Sequence, residues 1–143
     1  MSGDRVLLVD DEEEFTRALA ERMEARGLRV ETAADGEAAL ARASSGAFDA
    51  ILLDLSMPGL DGIETLRRLR AANPEVQVIL LTGHATVKTS VEAMRLGALD
   101  FVEKPADLDH LVERIREAGT RKAILVEQRV GEEIKEILGK KPW

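Results

Sequence analysis

The sequence predicts an α/β fold, a doubly wound parallel sheet of five strands with helices on both faces. Three observations carry that prediction. Five short β-type runs alternate with helical patterns along the chain. The first, third and fourth runs are nearly continuous in apolar residues, as expected for central strands covered on both sides. Strand–helix alternation implies right-handed crossovers, and these make neighbouring strands parallel.

The elements follow in order. Run 5–10 contains Val6-Leu7-Leu8-Val9 and ends in Asp10-Asp11. Phe15, Leu19 and Met23 then fall at i, i+4 and i+8, the spacing of one helical face. Run 28–32 is the second strand. Asp35 is placed to cap an alanine-rich helix through Ala38, Ala39 and Leu40. Run 49–54 ends in Asp54. Asp61 is placed to cap a helix carrying Ile63, Leu66 and Leu69. Asn73-Pro74 marks a turn before run 76–81, which leads into Thr82-Gly83. Val87, Val91 and Met94 mark a fourth helix, which Gly97 is expected to end. Run 99–103 leads into Lys104-Pro105, and Leu108, Leu111, Val112 and Ile115 mark a fifth helix. All these apolar stripes read as core.

Size and composition set the class. The chain has 143 residues, 45% of them hydrophobic and 33% charged. That is enough for one domain with a real core. There is no cysteine, so disulfides and thiolate metal sites are excluded. The apolar stretch after the N-terminus is too short for a signal-peptide core. No stretch approaches the roughly 18 apolar residues of a membrane span. The expected location is cytoplasmic, without membrane contact. A net charge of −7 disfavours direct nucleic acid binding. The charge is uneven: residues 1–119 hold 14 basic and 23 acidic groups, whereas residues 120–143 hold 6 and 4.

Open doubly wound sheets place their site beyond the carboxyl ends of the strands, at the switch in strand order. Here those ends carry Asp10-Asp11, Asp54, Thr82 and Lys104. Three carboxylates, one hydroxyl and one ammonium thus converge on one rim. Two like charges about 4 Å apart repel by roughly 4 kcal/mol at an effective dielectric of 20. Such a cluster calls for a hard divalent cation, and Mg²⁺ takes oxygen ligands while keeping several waters. An ammonium at the same rim suits a phosphate oxygen. With no cysteine, a carboxylate is the nucleophile that remains, and carboxylates do accept phosphoryl groups as acyl phosphates. Catalysis of that kind is mostly positioning and electrostatics. Blander readings stand beside this one. Asp10-Asp11 with Glu12, Glu13 and Glu14 also reads as an acidic helix start favoured by the macrodipole. Thr82 also reads as a turn residue, and Lys104 as a solvated lysine.

These residues give the chain its resemblance to the receiver domain of bacterial two-component response regulators, over roughly residues 4–119. The matching pieces are Val6-Leu7-Leu8-Val9-Asp10-Asp11, Asp54-Leu55-Ser56-Met57-Pro58-Gly59-Leu60-Asp61-Gly62, Thr82-Gly83 and Lys104-Pro105. The stretch from Thr82 to Pro105 is similar to receivers of the nitrogen-regulator type. The resemblance implies a flavodoxin-like strand order of 2-1-3-4-5. It also implies roles. Asp54 is the phosphoacceptor. Asp11 binds Mg²⁺ directly, Asp10 through water, and the Ser56 carbonyl completes the protein ligands with Asp54. Thr82 and Phe101 form the switch, Lys104 contacts the phosphoryl group, and Lys104-Pro105 is a cis bond. The positions of Ser56 and His84 vary in the family and tune phosphoryl lifetime, and His110 reads as an exposed helix residue. Phe101 also reads simply as a core aromatic.

The function expected is that of a phosphoacceptor signalling domain and not an enzyme acting on other substrates. A sensor histidine kinase or phosphotransfer protein donates, and a downstream protein target reads the result. Two alternatives are a receiver fragment of a larger DNA-binding transcription regulator and an aspartyl-phosphate phosphatase. Residues 120–143 are too few for an output domain, so the chain reads as a stand-alone receiver with a helical C-terminal extension. Val126, Val130, Ile134 and Ile137 form one stripe there, with Gly119 and Gly131 interrupting the helix, and Trp143 reads either as an interface anchor or as a frayed terminus. The C-terminal stripe reads as a helix for association or kinase docking, or as an extension packed back on the receiver. A homodimer through the fourth helix, fifth strand and fifth helix, or through this C-terminal helix, is one of the readings left open.

Overall fold

The computed structural model describes residues 3–55, 61–83 and 87–139, with the side chains of Thr82 and Val87 outside that description. Ten elements alternate along the chain: β1 (Arg5–Val9), α1 (Glu13–Ala25), β2 (Arg29–Ala33), α2 (Gly36–Ser45), β3 (Ala50–Leu53), α3 (Gly62–Ala72), β4 (Val78–Thr82), α4 (Val87–Arg95), β5 (Asp100–Glu103) and α5 (Leu108–Gly139). The strands form one sheet in the order β2-β1-β3-β4-β5, and every pairing is parallel. This is the expected doubly wound topology. The strand boundaries sit within one or two residues of those read from the sequence.

Alternation along each central strand divides the core into two layers. Leu7 and Val9, Ile51 and Leu53, and Val78 and Leu80 pack with Ala39, Leu66, Leu69 and Ala93 from α2, α3 and α4. Val6 and Leu8, Ala50 and Leu52, and Ile79 and Leu81 pack with Leu19, Met23, Leu111, Val112, Ile115 and Ala118 from α1 and α5. A near-continuous apolar run is therefore two alternating sets read as one.

The helix ends follow local chemistry. The Asp35 and Asp61 side chains accept hydrogen bonds from the backbone N–H groups of Ala38 and Glu64, each at 2.8 Å. Both are the expected N-caps. Gly97 has φ +98°, and the N–H groups of Gly97 and Ala98 donate to the carbonyls of Met94 and Ala93. That closes α4 with the left-handed glycine that such an ending favours.

Two expectations are corrected. Val91 and Met94 are 44% and 45% exposed, so the α4 stripe is not core; the helix packs through the fully buried Ala93 instead. The expectation for Val87 rests on a side chain outside the described residues. Gly119 and Gly131 do not interrupt the helix, since α5 runs unbroken through both. Gly119 is a point of close approach: a Cβ there would lie 2.8 Å from Asp4 Oδ1 and 3.5 Å from Asp49 Cβ. Residue 119 therefore falls inside α5 and not at a break. Beyond it, Lys122 Nζ donates to the Phe48 carbonyl at 2.7 Å, and Arg129 Nε pairs with Glu75 at 2.6 Å. These contacts tie the start of the extension to the loops before β3 and β4. Farther on, Val130, Ile134, Ile137 and Leu138 are exposed. No helix among the described residues is long and apolar enough to cross a membrane.

Candidate functional site

The strand order reverses around β1, so its carboxyl end and that of β3 form the switch-point crevice. Pairing holds that crevice in register beyond the strands themselves. Asp10 N–H donates to the Ala33 carbonyl at 3.1 Å, and Asp54 N–H to the Val9 carbonyl at 3.0 Å. Asp10 and Asp54 each follow a run of buried apolar residues and are themselves 3% and 4% exposed. Gly62 allows the start of α3 to lie against this end of β3. A Cβ at Gly62 would come within 2.3 Å of Leu55 Cα and 2.8 Å of the Asp54 carbonyl oxygen.

Lys104 enters from β5 and lies among the carboxylates. Its Nζ is 2.5 Å from Asp10 Oδ2, 3.3 Å from Glu12 Oε1 and 3.7 Å from Asp54 Oδ2. The Phe15 ring covers another side of the ammonium, 4.3 Å from Nζ to the ring centroid. The Lys104-Pro105 bond is cis, as expected. Asp10 Oδ1 accepts from the Glu12 N–H at 2.9 Å, so both oxygens of Asp10 are engaged.

Burial and charge pull against each other here. Burial raises the Asp10 carboxyl above its ordinary pKa, although the Lys104 and Glu12 hydrogen bonds favour its charged form. Burial works against the Lys104 ammonium, but the hydrogen bond to Asp10 and the charges of Asp10, Asp54 and Glu12 together raise its pKa. Lys104 thus stays charged, and Asp10 is the strained member of the pair.

One oxygen from each of Asp10, Glu12 and Asp54 lies within 4.8 Å of the others. Three carboxylates face one ammonium, leaving net negative charge that a hard divalent cation would neutralise. The donor set is all oxygen and suits Mg²⁺. Asp11 is exposed and lies outside that cluster, whereas Glu12 joins it unexpectedly. The only sequence signal for Glu12 was its place in an acidic run, which reads equally well as a helix start.

Thr82 closes β4 opposite Glu103. A Cβ at the next residue, Gly83, would lie 3.9 Å from Lys104 Cβ, so the end of β4 flanks the lysine. Phe101 stands opposite Leu80 and is half-buried against the α2–α4 layer. His110 is exposed, as expected. Ser56, His84 and Trp143 lie outside the described residues.

Comparison with known proteins agrees with this geometry. Residues 6–116 match the response regulator receiver domain. The transcriptional regulatory protein YkoG of Bacillus subtilis is 38% identical over 118 residues, which are 82% of this chain and 52% of that protein. The C4-dicarboxylate transport transcriptional regulatory protein DctD of Rhizobium meliloti is 34% identical, over 87% of this chain and 27% of its own length. The chain therefore spans about half, or less, of the curated relatives it matches. Among solved structures, the NtrX receiver domain of Brucella abortus aligns with a TM-score of 0.75 at 34% identity, covering 80% of this chain and 98% of that one. A receiver domain protein of Methanospirillum hungatei aligns with a TM-score of 0.81 at 30% identity, over 85% and 98% of the two chains. With its five-stranded order, its acidic crevice and this match over most of its length, the chain belongs to the receiver domains of two-component response regulators.

Proposed function

We propose that Asp54 accepts a phosphoryl group from a sensor histidine kinase or phosphotransfer protein, and that the resulting acyl phosphate switches the domain between two states. The observation that supports this best is the Lys104 ammonium, 3.7 Å from Asp54 and held by Asp10. An Asp54 oxygen attacks phosphorus, and a P–O bond forms. The donor's P–N or P–O bond breaks, and the electron pair leaves with the donor. Lys104 turns its hydrogen bonds toward the phosphoryl oxygens, and Thr82 donates its hydroxyl to them. Asp10, Asp11, Asp54 and the Ser56 carbonyl would hold Mg²⁺, which supplies charge neutralisation when bound. Phe101 then turns inward as Thr82 moves, and the equilibrium shifts by the difference in contacts between the states. Hydrolysis of the acyl phosphate resets Asp54. The chain acts only on its own aspartate, and the cytoplasm is the location consistent with these partners.

The downstream protein target reads the state through exposed apolar surface. Val91 and Met94 on α4, and Ile134, Ile137 and Leu138 on α5, supply that surface for a target or a second copy. A second reading draws on coverage: the chain spans only part of its transcription-regulator relatives, so it also fits the receiver of a longer DNA-binding regulator. The phosphoacceptor reading is tested by intact mass after incubation with acetyl phosphate and Mg²⁺. The wild-type chain gains one phosphoryl group and Asp54→Asn gains none. A variant that still gains it assigns the acceptor elsewhere.

A further inference from the structure

We infer that Glu12 is a positioning residue for Lys104 that restrains phosphoryl uptake at Asp54; this rests on the reading of Asp54 as acceptor. Glu12 occupies the N-cap position of α1, yet its side chain caps nothing. Its backbone does the structural work: its carbonyl accepts from the Thr16 N–H and from Thr16 Oγ1, each at 2.9 Å, and its N–H holds Asp10 Oδ1. The carboxylate is turned instead to Lys104, 3.3 Å away, and its side chain is 62% exposed against 12% for Lys104. Lys104 is thus enclosed by Asp10 and the Phe15 ring, with Glu12 at the solvent side.

Two consequences follow for a phosphoryl donor. It meets the Glu12 charge before it meets the ammonium. It must also draw Lys104 away from Glu12 as the Asp54–phosphorus bond forms and the donor bond breaks. Both effects slow uptake, and the first scales with the negative charge on the donor. In the absence of donor, Glu12 shares the ammonium, so Lys104 competes less strongly with a cation for Asp10 and Asp54.

The test compares wild type, Glu12→Gln and Glu12→Asp at saturating Mg²⁺. Acetyl phosphate serves as the dianionic donor and phosphoramidate as the less charged one. Glu12→Gln should speed uptake from acetyl phosphate by about three- to tenfold, an effect that shrinks at high salt because Glu12 is exposed. The gain with phosphoramidate should be smaller, and Glu12→Asp should stay near wild type. Calorimetric titration with Mg²⁺ gives a second readout, with the Kd of Glu12→Gln weakened by about threefold or more. Unchanged or slower uptake, equal gains with both donors, or an unchanged Mg²⁺ Kd would each overturn the inference. A wild-type chain that takes up no phosphoryl group would instead overturn the role of Asp54, while the Mg²⁺ titration would still judge Glu12.

Discussion

Replacing Lys104 with methionine tests whether the crevice is held together by this one ammonium. Methionine keeps most of the apolar stem of lysine but loses the ammonium, and with it the Nζ contact over the Phe15 ring. In wild type, Lys104 Nζ lies 2.5, 3.3 and 3.7 Å from Asp10, Glu12 and Asp54. Asp10's side chain is 1% exposed and that of Lys104 12%, so this is a buried pair and not a surface bridge. Removing one member of a buried pair typically costs about 3–5 kcal/mol. Exposure at Glu12 favours the low end, and we expect a loss of about 3 kcal/mol at neutral pH without metal. The pH dependence separates charge from packing. The Asp10 pKa is already raised in the folded chain, so between its unfolded and folded values the folded state binds more protons. Stability contributed by Asp10 therefore falls as pH rises through that window, which starts near 3.8. Without Lys104 the Asp10 pKa rises further and the window widens upward. The variant should thus regain much of its lost stability on acidification from neutral pH. The Lys104 pKa is also raised, so its contribution in wild type is fully present below 10.5 and lost only above that value. Urea denaturation in EDTA across a pH series measures all of this. A deficit below about 1 kcal/mol at neutral pH, or one that does not change with pH, would refute the reasoning.

Three further outcomes concern α5. Gly131 has nothing within 4 Å of an added Cβ. Gly131→Ala should therefore strengthen the helix locally by about 1 kcal/mol, read as slower amide exchange around residue 131. At Gly119 the new methyl would meet Asp4 Oδ1 at 2.8 Å, so Gly119→Ala should gain less or lose stability in thermal melts. Ile134 and Ile137 are 51% and 64% exposed. Beryllofluoride with Mg²⁺ should raise the solution mass measured by light scattering, and Ile134→Glu combined with Ile137→Glu should abolish that rise while leaving the melting temperature unchanged. A mass rise that survives the double substitution places association on another face.

What the sequence discloses about this fold depends on the range of the interaction that decides each feature. Strands, caps and the Gly97 ending were legible because they are written in neighbouring residues: an alternating apolar run, an aspartate three residues before the N–H it accepts from, a glycine at a left-handed turn. The order of the strands was not. It came from resemblance, since nothing in a run such as Ile51-Leu52-Leu53 says which strand lies beside it. The α4 stripe shows a different limit. Val91 and Met94 have helical spacing, but periodicity identifies an apolar face without saying what covers it. The small Ala93 is what meets the sheet. Gly119 shows a third limit. In a sequence it is a residue that weakens helices, whereas in the fold it is where α5 passes close to Asp4 and Asp49.

Glu12 belongs to the same class of hidden feature, because the acidic run does not say which of its carboxylates meet Lys104. Asp10, Asp11 and Glu12 are equivalent as charges near a helix start, so sequence alone cannot rank them. They differ through a lysine some ninety residues away along the chain, which pairs with the first and third and not with the second. The backbone decides the outcome: Asp10 ends a buried strand and points into the crevice, Asp11 faces solvent, and Glu12 returns to the rim as α1 begins. If Asp54 is the acceptor, its reactivity should depend on how Asp10, Glu12 and Asp54 share the Lys104 ammonium. Substitutions in the turn between β1 and α1 should then change that reactivity even where every motif residue stays in place.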